Sequence, residues 1–304
     1  MMQTKQLILH NKTYTLHIAY QANERMRQAL NTMTFDFWEF TFESYYQSGY
    51  WDDNCILFSL FEEEQLVAHT TLSLFTTYTP DQRLLLGQLG TVMTLPSHTK
   101  QGLSRFLMEY IFEAYSDKLD GYFLFANDTV LEFYPKFGFH AVPEHQASKA
   151  WRKQPTTHTI QRLDLTDTTD LQCFQHYLKN GSTACRFDTR SYGLAHFYCY
   201  ANPAFGFAES VYLIPTLQTL LIAQQEEGDL LIYQAYYLKD NQLDQAFNAL
   251  ADTQTNRVVL GYTPTDTGYT YNPYKEEDLT LFVSPTLTTY FKDHLTMIPL
   301  LSHT

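Results

Sequence analysis

The chain is poor in the residues that cross-link, break or positively charge a polypeptide. Its 304 residues include only 4 Cys, 12 Gly and 11 Pro. Cys55, Cys173, Cys185 and Cys199 contain no Cys-x-x-Cys pair, so the common zinc and thioredoxin patterns are missing and no metal is expected. Reduced, mostly buried thiols in a cytoplasmic protein are the expectation. Basic residues are outnumbered 20 to 33, a net charge of −13. Both halves share the deficit, and neither has the basic excess that a phosphate backbone calls for, so nucleic acid is not an expected partner. A cationic or amine-bearing partner suits this field better. No run approaches the ~18 apolar residues of a membrane span, and Leu7-Ile8-Leu9 is too short for a signal-peptide core.

Aromatic residues are abundant, with 23 Tyr and 22 Phe, and 44% of the chain is hydrophobic. Such a composition excludes disorder. At roughly 100–200 residues per domain, the length predicts two domains. Period-2 patterning predicts strands at 13–19, 55–61, 66–77 and 84–95, the last stopped by Pro96. Helices are expected at 23–30 and at 36–47, the second capped by Asp36. Leu103, Phe106, Leu107, Tyr110, Ile111 and Ala114 fall on one face of a long helix. A short apolar strand at 121–126 and a helix at 129–137 follow, with Gly138 as its stop. Residues 146–160 read as a linker. Beyond it, helices at 171–179 and 189–200, strands at 219–224 and 230–237, a helix at 243–251 and strands at 257–262 and 279–283 partly repeat the first order. The fold class is α/β with mixed sheets, divided as 1–145, linker, and 161–304.

Two segments carry chemistry. In the first, a strand ends at Thr94, a polar loop holding Gly102 follows, and the long helix begins. A helix N-terminus presents unpaired N–H groups and the positive end of its dipole, which suits phosphate. Lys100 and Arg105 add positive charge. A plain strand-to-helix turn with solvated cations has the same look. The second segment holds Asn127 and Tyr134, seven apart, followed by Gly138-Phe139.

Together these segments resemble the Gcn5-related N-acetyltransferase (GNAT) superfamily over about residues 1–145. There, a loop of pattern (Arg/Gln)-x-x-Gly-x-(Gly/Ala) cradles the acetyl-CoA pyrophosphate, and Asn-x6-Tyr comes some 30 residues later. Here Thr99 stands for the usual Arg or Gln, Lys100 occupies a place often held by Gly, and Ser104 replaces the last Gly/Ala. The resemblance implies that Val92, Met93 and Thr94 lie along the pantetheine arm, with one backbone N–H polarising the thioester carbonyl. It implies that Thr99, Lys100, Gln101, Gly102, Leu103 and Ser104 line the pyrophosphate, and that Asn127 hydrogen-bonds the pantetheine. Tyr134 would donate to the departing sulfur. A free tyrosine sits above a thiol in pKa, so a hydrogen bond to the thiolate is favoured over full proton transfer.

No base for the amine stands out; Glu43, Asp53 and His69 are the candidates, His69 with the look of a structural histidine. The aromatic run from Phe35 to Trp51 lies where the family builds its acceptor site, although core packing explains most of it. The second half lacks a phosphate loop: before its helix at 243–251 stand Asp240 and Asn241, which would cap that helix. It is expected to be a smaller, degenerate GNAT-like domain that binds no CoA. The reading is an acetyl-CoA-dependent N-acetyltransferase acting by direct attack of a small amine, polyamine or peptide N-terminus. The alternatives are a non-catalytic binding or regulatory protein on the same scaffold and an aminoacyl-tRNA-dependent transferase, which the acidity disfavours. The aromatic content leaves room for a homodimer.

Overall fold

A computed structural model describes residues 2–292 and 294–303. It opens with a hairpin that periodicity had only half revealed, β1 (Gln3–Leu9) and β2 (Lys12–Ile18). His10 and Asn11 turn it at φ 49° and 64°, the double positive φ of a two-residue type I′ turn. Next come α1 (Glu24–Trp38), α2 (Glu43–Gln47), β3 (Cys55–Glu62), β4 (Gln65–Tyr78), β5 (Arg83–Thr94), α3 (Leu103–Tyr115), β6 (Gly121–Asn127), β7 (His140–Ala141) and β8 (Glu144–Ala150). The rest of the chain forms β9 (Gln161–Arg162), α4 (Thr168–Asn180), β10 (Asp188–Arg190), α5 (Tyr192–His196), β11 (Val211–Ile214), β12 (Thr219–Glu226) and β13 (Asp229–Tyr237). It ends with α6 (Leu243–Leu250), β14 (Arg257–Leu260), β15 (Thr270–Tyr274), β16 (Leu279–Val283) and α7 (Thr288–Lys292).

These strands build two mixed sheets, in the orders β1-β2-β3-β4-β5-β6-β16-β7 and β15-β8-β14-β13-β12-β11-β9, with β10 beside the end of β4. The α/β class with mixed sheets holds. The two sheets share a plan. β5 and β6 run parallel around α3, and β13 and β14 run parallel around α6. Each sheet is completed by a strand of the other half: β16 lies between β6 and β7, and β8 lies between β14 and β15.

That exchange changes the expected division. The stretch expected as a linker from 146 begins inside β8, which pairs with β14 and β15. The strand expected to finish the second half at 279–283 instead pairs with β6. The two halves also share a core. Along β6, Phe123 packs on the α1 face and Leu124 on the α3 face, the alternation of a strand buried on both sides. The α1-face cluster takes in Phe187, Leu194, Phe197 and Ile298 from the second half. Each such side chain contributes about 1.5–3 kcal/mol when fully buried, so the halves stabilise each other.

Three helices differ from expectation. α1 continues through Asp36 and stops at Glu39, whose φ is +60°; nothing marks a non-glycine residue for that conformation in advance. The helix expected at 129–137 is a pair of 3₁₀ turns, Asp128–Val130 and Tyr134–Phe137. Pro135 removes a donor there, and Gly138 ends the second turn at φ +84° as expected. The helix expected at 189–200 is the short α5 followed by a π turn, Phe197–Ala201. Among the described residues no helix is long and apolar enough to cross a membrane.

Candidate functional site

β5 and β6 are paired at three positions only, Leu86–Gly121, Gly87–Tyr122 and Gln88–Phe123. Beyond these they diverge, and the gap between them opens through the sheet. A bulge helps to open it. The β4–β5 register slips between His69–Met93 and Thr71–Gly90, and Thr91 takes φ +45°. A bulge adds an unpaired residue and local twist. A β-branched residue with positive φ costs of order 1–3 kcal/mol and persists only where its surroundings enforce it. Here a buried chain of hydrogen bonds does so. The Thr91 hydroxyl lies 2.6 Å from that of Thr71, and Thr71 lies 2.9 Å from His69 Nε2. His69 Nδ1 is 2.7 Å from Ser59 Oγ, which in turn meets Tyr20 Oη at 2.7 Å.

The gap is a cleft of about 530 Å³. Thr91, Val92 and Thr94 form one wall; Phe125 and Asn127 form the other. Ser104 and Tyr134 border it on the α3 side, and Trp38 and Phe40 on the α1 side. Of the residues named from sequence, Val92, Thr94, Thr99, Ser104, Asn127 and Tyr134 converge on it. The side chains of Met93 and Leu103 point into the two cores instead, leaving only their backbone to face a ligand. Lys100 and Gly102 lie exposed on the loop beyond.

That loop ends at Gly102, the N-cap of α3, with φ +75° and no side-chain cap. By contrast, α1, α4 and α5 are capped by Asn23, Asp167 and Ser191. The first-turn N–H groups of α3 therefore have no side-chain oxygen upon them, the condition for holding an anion. Lys100 takes φ +62°, which accounts for glycine being usual at this place. Gln101 is occupied: its amide donates to Ser97 O at 3.1 Å, and its Oε1 accepts from Tyr14 at 3.3 Å. Thr99 Oγ1 donates to Pro96 O at 3.0 Å. Ser104 Oγ meets Thr94 Oγ1 at 2.6 Å, tying the helix start to β5. In the equivalent helix α6 the N-cap Gln242 likewise makes no side-chain bond, but Asn241 Oδ1 takes the Leu243 N–H at 3.2 Å.

Tyr134 is buried beside Phe133, Phe139 and Phe282. Burial pushes its phenol up to about 12. Two cleft residues come from the far end of the chain. His303 lies over Phe125 with ring centroids 3.9 Å apart, and its Nδ1 is 3.2 Å from Glu276 Oε2. The His303 hydrogen bond holds the Glu276 carboxyl below its usual range. Tyr198 completes this wall, its hydroxyl donating to His303 O at 2.8 Å. No local pattern marks these three residues; Tyr198 comes from the π turn after α5, and Glu276 and His303 from the chain on either side of β16.

The base candidates fare differently. Glu43 is held by Arg27, Asn31 and Gln47, which lower it to about 2, so it clamps α2 to α1. His69 is fully buried and pushed down to about 3 by desolvation, so it stays neutral in the Thr91 network. Asp53 is exposed and does not border the cleft.

Residues 19–142 match the model of the acetyltransferase (GNAT) domain. Over these residues the chain is similar to that family, and its fold is the GNAT fold. A conserved protein of unknown function from Enterococcus faecalis V583, a probable N-acyltransferase, superposes with a TM-score of 0.55 at 13% identity, covering 93% of this chain and 72% of that one. A GCN5-related N-acetyltransferase from Anabaena variabilis ATCC 29413 gives 0.55 at 13% identity, covering 88% and 72%. Both likenesses concern the fold and reach across both halves. No curated protein matches the sequence.

Proposed function

We propose that the chain is an acetyl-CoA-dependent N-acetyltransferase that transfers the acetyl group directly to a primary amine. The observation that carries this is the continuous path from the uncapped N-terminus of α3, through the gap between β5 and β6, to Tyr134. The N–H groups of Leu103 and Ser104 would hold the diphosphate, with Lys100 as the nearby cation. Backbone groups of Val92, Met93 and Thr94 and the Asn127 amide would hold the pantetheine arm. One N–H at the bulge would polarise the thioester carbonyl. The amine nitrogen attacks that carbon; the C–N bond forms, the C–S bond breaks and the electron pair leaves on sulfur. Glu276 and His303 are the cleft groups able to receive the ammonium proton.

Tyr134 serves the sulfur as a hydrogen-bond donor. With its phenol near 12 and a thiol near ~8.5, full proton transfer would be uphill by roughly 5 kcal/mol at about 1.36 kcal/mol per unit. A hydrogen bond to the developing thiolate avoids that cost. Tyr134→Phe is therefore expected to lower kcat about ten- to hundredfold while leaving the KM for acetyl-CoA nearly unchanged. Release of free CoA thiol, followed with an amine present, checks this. A Phe variant at wild-type rate would remove the role. A wild type that neither releases thiol nor is stabilised by acetyl-CoA would favour the alternative, a binding protein on the same scaffold, which the left-handed Lys100 and the occupied Gln101 would suit.

A further inference from the structure

A second cavity, of about 200 Å³, adjoins the cleft and shares Phe40, Thr91 and Tyr198 with it. Its walls are apolar and come from both halves. Phe42 and Tyr45 follow α1, Phe75 lies on β4, and Leu194 and Phe197 come from α5 and the π turn. Apolar cavities of about 150 Å³ are known to take benzene, so this one has room for a substituted aromatic ring. Its rim is also apolar: Trp38 and Phe205 are exposed, and Phe40 packs between them.

The cavity has direction. The hydroxyls of Thr71 and Thr91 stand at the end shared with the cleft. From Thr71 it extends along β4 past Ser73, the partner of Cys55, towards Phe75. At that far end lie Asp52 and Asn54, Asn54 O accepting from Leu74 N at 2.8 Å. Asp52 is half-buried there and accepts from Asn54 N through Oδ1 at 2.9 Å, and a bare acyl chain would offer its carboxylate no further donor. A molecule with a donor at its far end would satisfy it.

We infer that this cavity is the acceptor subsite, built for a primary amine on an aryl-sized apolar group that carries a hydrogen-bond donor at its opposite end. The inference rests on the transferase reading and narrows its acceptor. The amine would stand at Thr91 beside the thioester, the ring between Phe42 and Phe197, and the distal donor at Asp52. The second half would thus help select the acceptor although it holds no diphosphate loop.

The test uses the full chain with acetyl-CoA and three probe amines: tyramine, 2-phenylethylamine and spermidine. Both aryl amines are expected to exceed spermidine in kcat/KM by at least about tenfold. Asp52→Asn, which keeps the Oδ1 acceptor for Asn54 N–H, should lower kcat/KM for tyramine about tenfold and leave 2-phenylethylamine within about twofold. Phe205→Ala, on the exposed rim, should raise the KM of both aryl amines and leave that of acetyl-CoA unchanged. The inference is overturned if spermidine is the better acceptor, or if Asp52→Asn affects both aryl amines equally. It is also overturned if hexanoyl-CoA is preferred to acetyl-CoA, which would make the cavity an acyl pocket. Thermal stabilisation by acetyl-CoA separates the layers: stabilisation without aryl-amine turnover sinks only this inference, while no stabilisation sinks the transferase reading with it.

Discussion

Gly102 allows a quantitative prediction, because its two duties can be separated. Its φ of +75° lies where a side chain costs about 1–2 kcal/mol. Replacing glycine by alanine returns about 0.4–1 kcal/mol by restricting the unfolded chain. Among the described residues an added Cβ would meet only His10 Nε2, at 3.4 Å, so packing adds little. Gly102→Ala should therefore cost the free protein about 1 kcal/mol, or ~2–4 °C in Tm. Gly138 is the control: it has φ +84° and open space around its Cβ, and it lies at the end of another turn. Gly138→Ala should cost about the same. Acetyl-CoA separates the two variants. At ~100 times Kd a ligand adds about 2.7 kcal/mol. Wild type and Gly138→Ala should show that stabilisation in full. In Gly102→Ala the new methyl stands on the open side of the loop, where a diphosphate would approach. A tenfold loss of affinity would remove about 1.4 kcal/mol of the gain. Thermal unfolding with and without acetyl-CoA is the assay. Equal ligand stabilisation in both alanine variants would refute the placement of the diphosphate on this loop.

Three further predictions follow from the packing. Glu144 is buried and accepts from Ile298 N at 2.8 Å; desolvation pushes its carboxyl up to about 7, with His303 and the Ile298 N–H opposing. The native state then holds a proton that the unfolded state has released, so stability should fall by up to roughly 3 kcal/mol as pH rises from about 4.5 to 7. Glu144→Gln should flatten that slope in denaturant melts, and an unchanged slope would show that Glu144 does not cause it. A fragment of residues 1–145 lacks β16, leaving the β6 edge open, and should fail to give a cooperative thermal transition; a sharp one would mean that the strand exchange is dispensable. Gly193 lets α5 approach α2, since a Cβ would meet Tyr45 Oη at 2.5 Å and Asp52 Oδ2 at 3.0 Å. Gly193→Ala should cost about 1–3 kcal/mol and impair amine turnover more than acetyl-CoA binding.

The legible parts of this protein were local ones. The apolar face from Leu103 to Ala114, the strands flanking the turn at Glu63 and the stop at Gly138 are short-range patterns, and the fold reproduces them. Asn127 and Tyr134, singled out by their spacing, both line the cleft although the helix expected between them is two 3₁₀ turns. Long-range features were hidden. Nothing in the sequence Leu279–Val283 says that it pairs with β6 and not with β14; both are apolar and both had a free edge. Glu276 and His303 reach the cleft only through that pairing. Left-handed Glu39 and Thr91 were equally silent, Thr91 being held there by its hydrogen bond to Thr71 and not by its residue type. The aromatic run from Phe35 to Trp51 divides among three environments, exposed at Phe35, buried at Tyr45 and lining both cavities at Phe40, a distinction periodicity does not make.

The central claim is that the gap between β5 and β6 seats an acyl-CoA with its sulfur at Tyr134. A crystal structure of the chain grown with CoA tests it most directly. The account predicts the diphosphate on the N–H groups of Leu103 and Ser104, and the sulfur within about 3.5 Å of Tyr134 Oη. CoA bound with its sulfur away from Tyr134, or seated beside β13 and β14 in the second half, would contradict it.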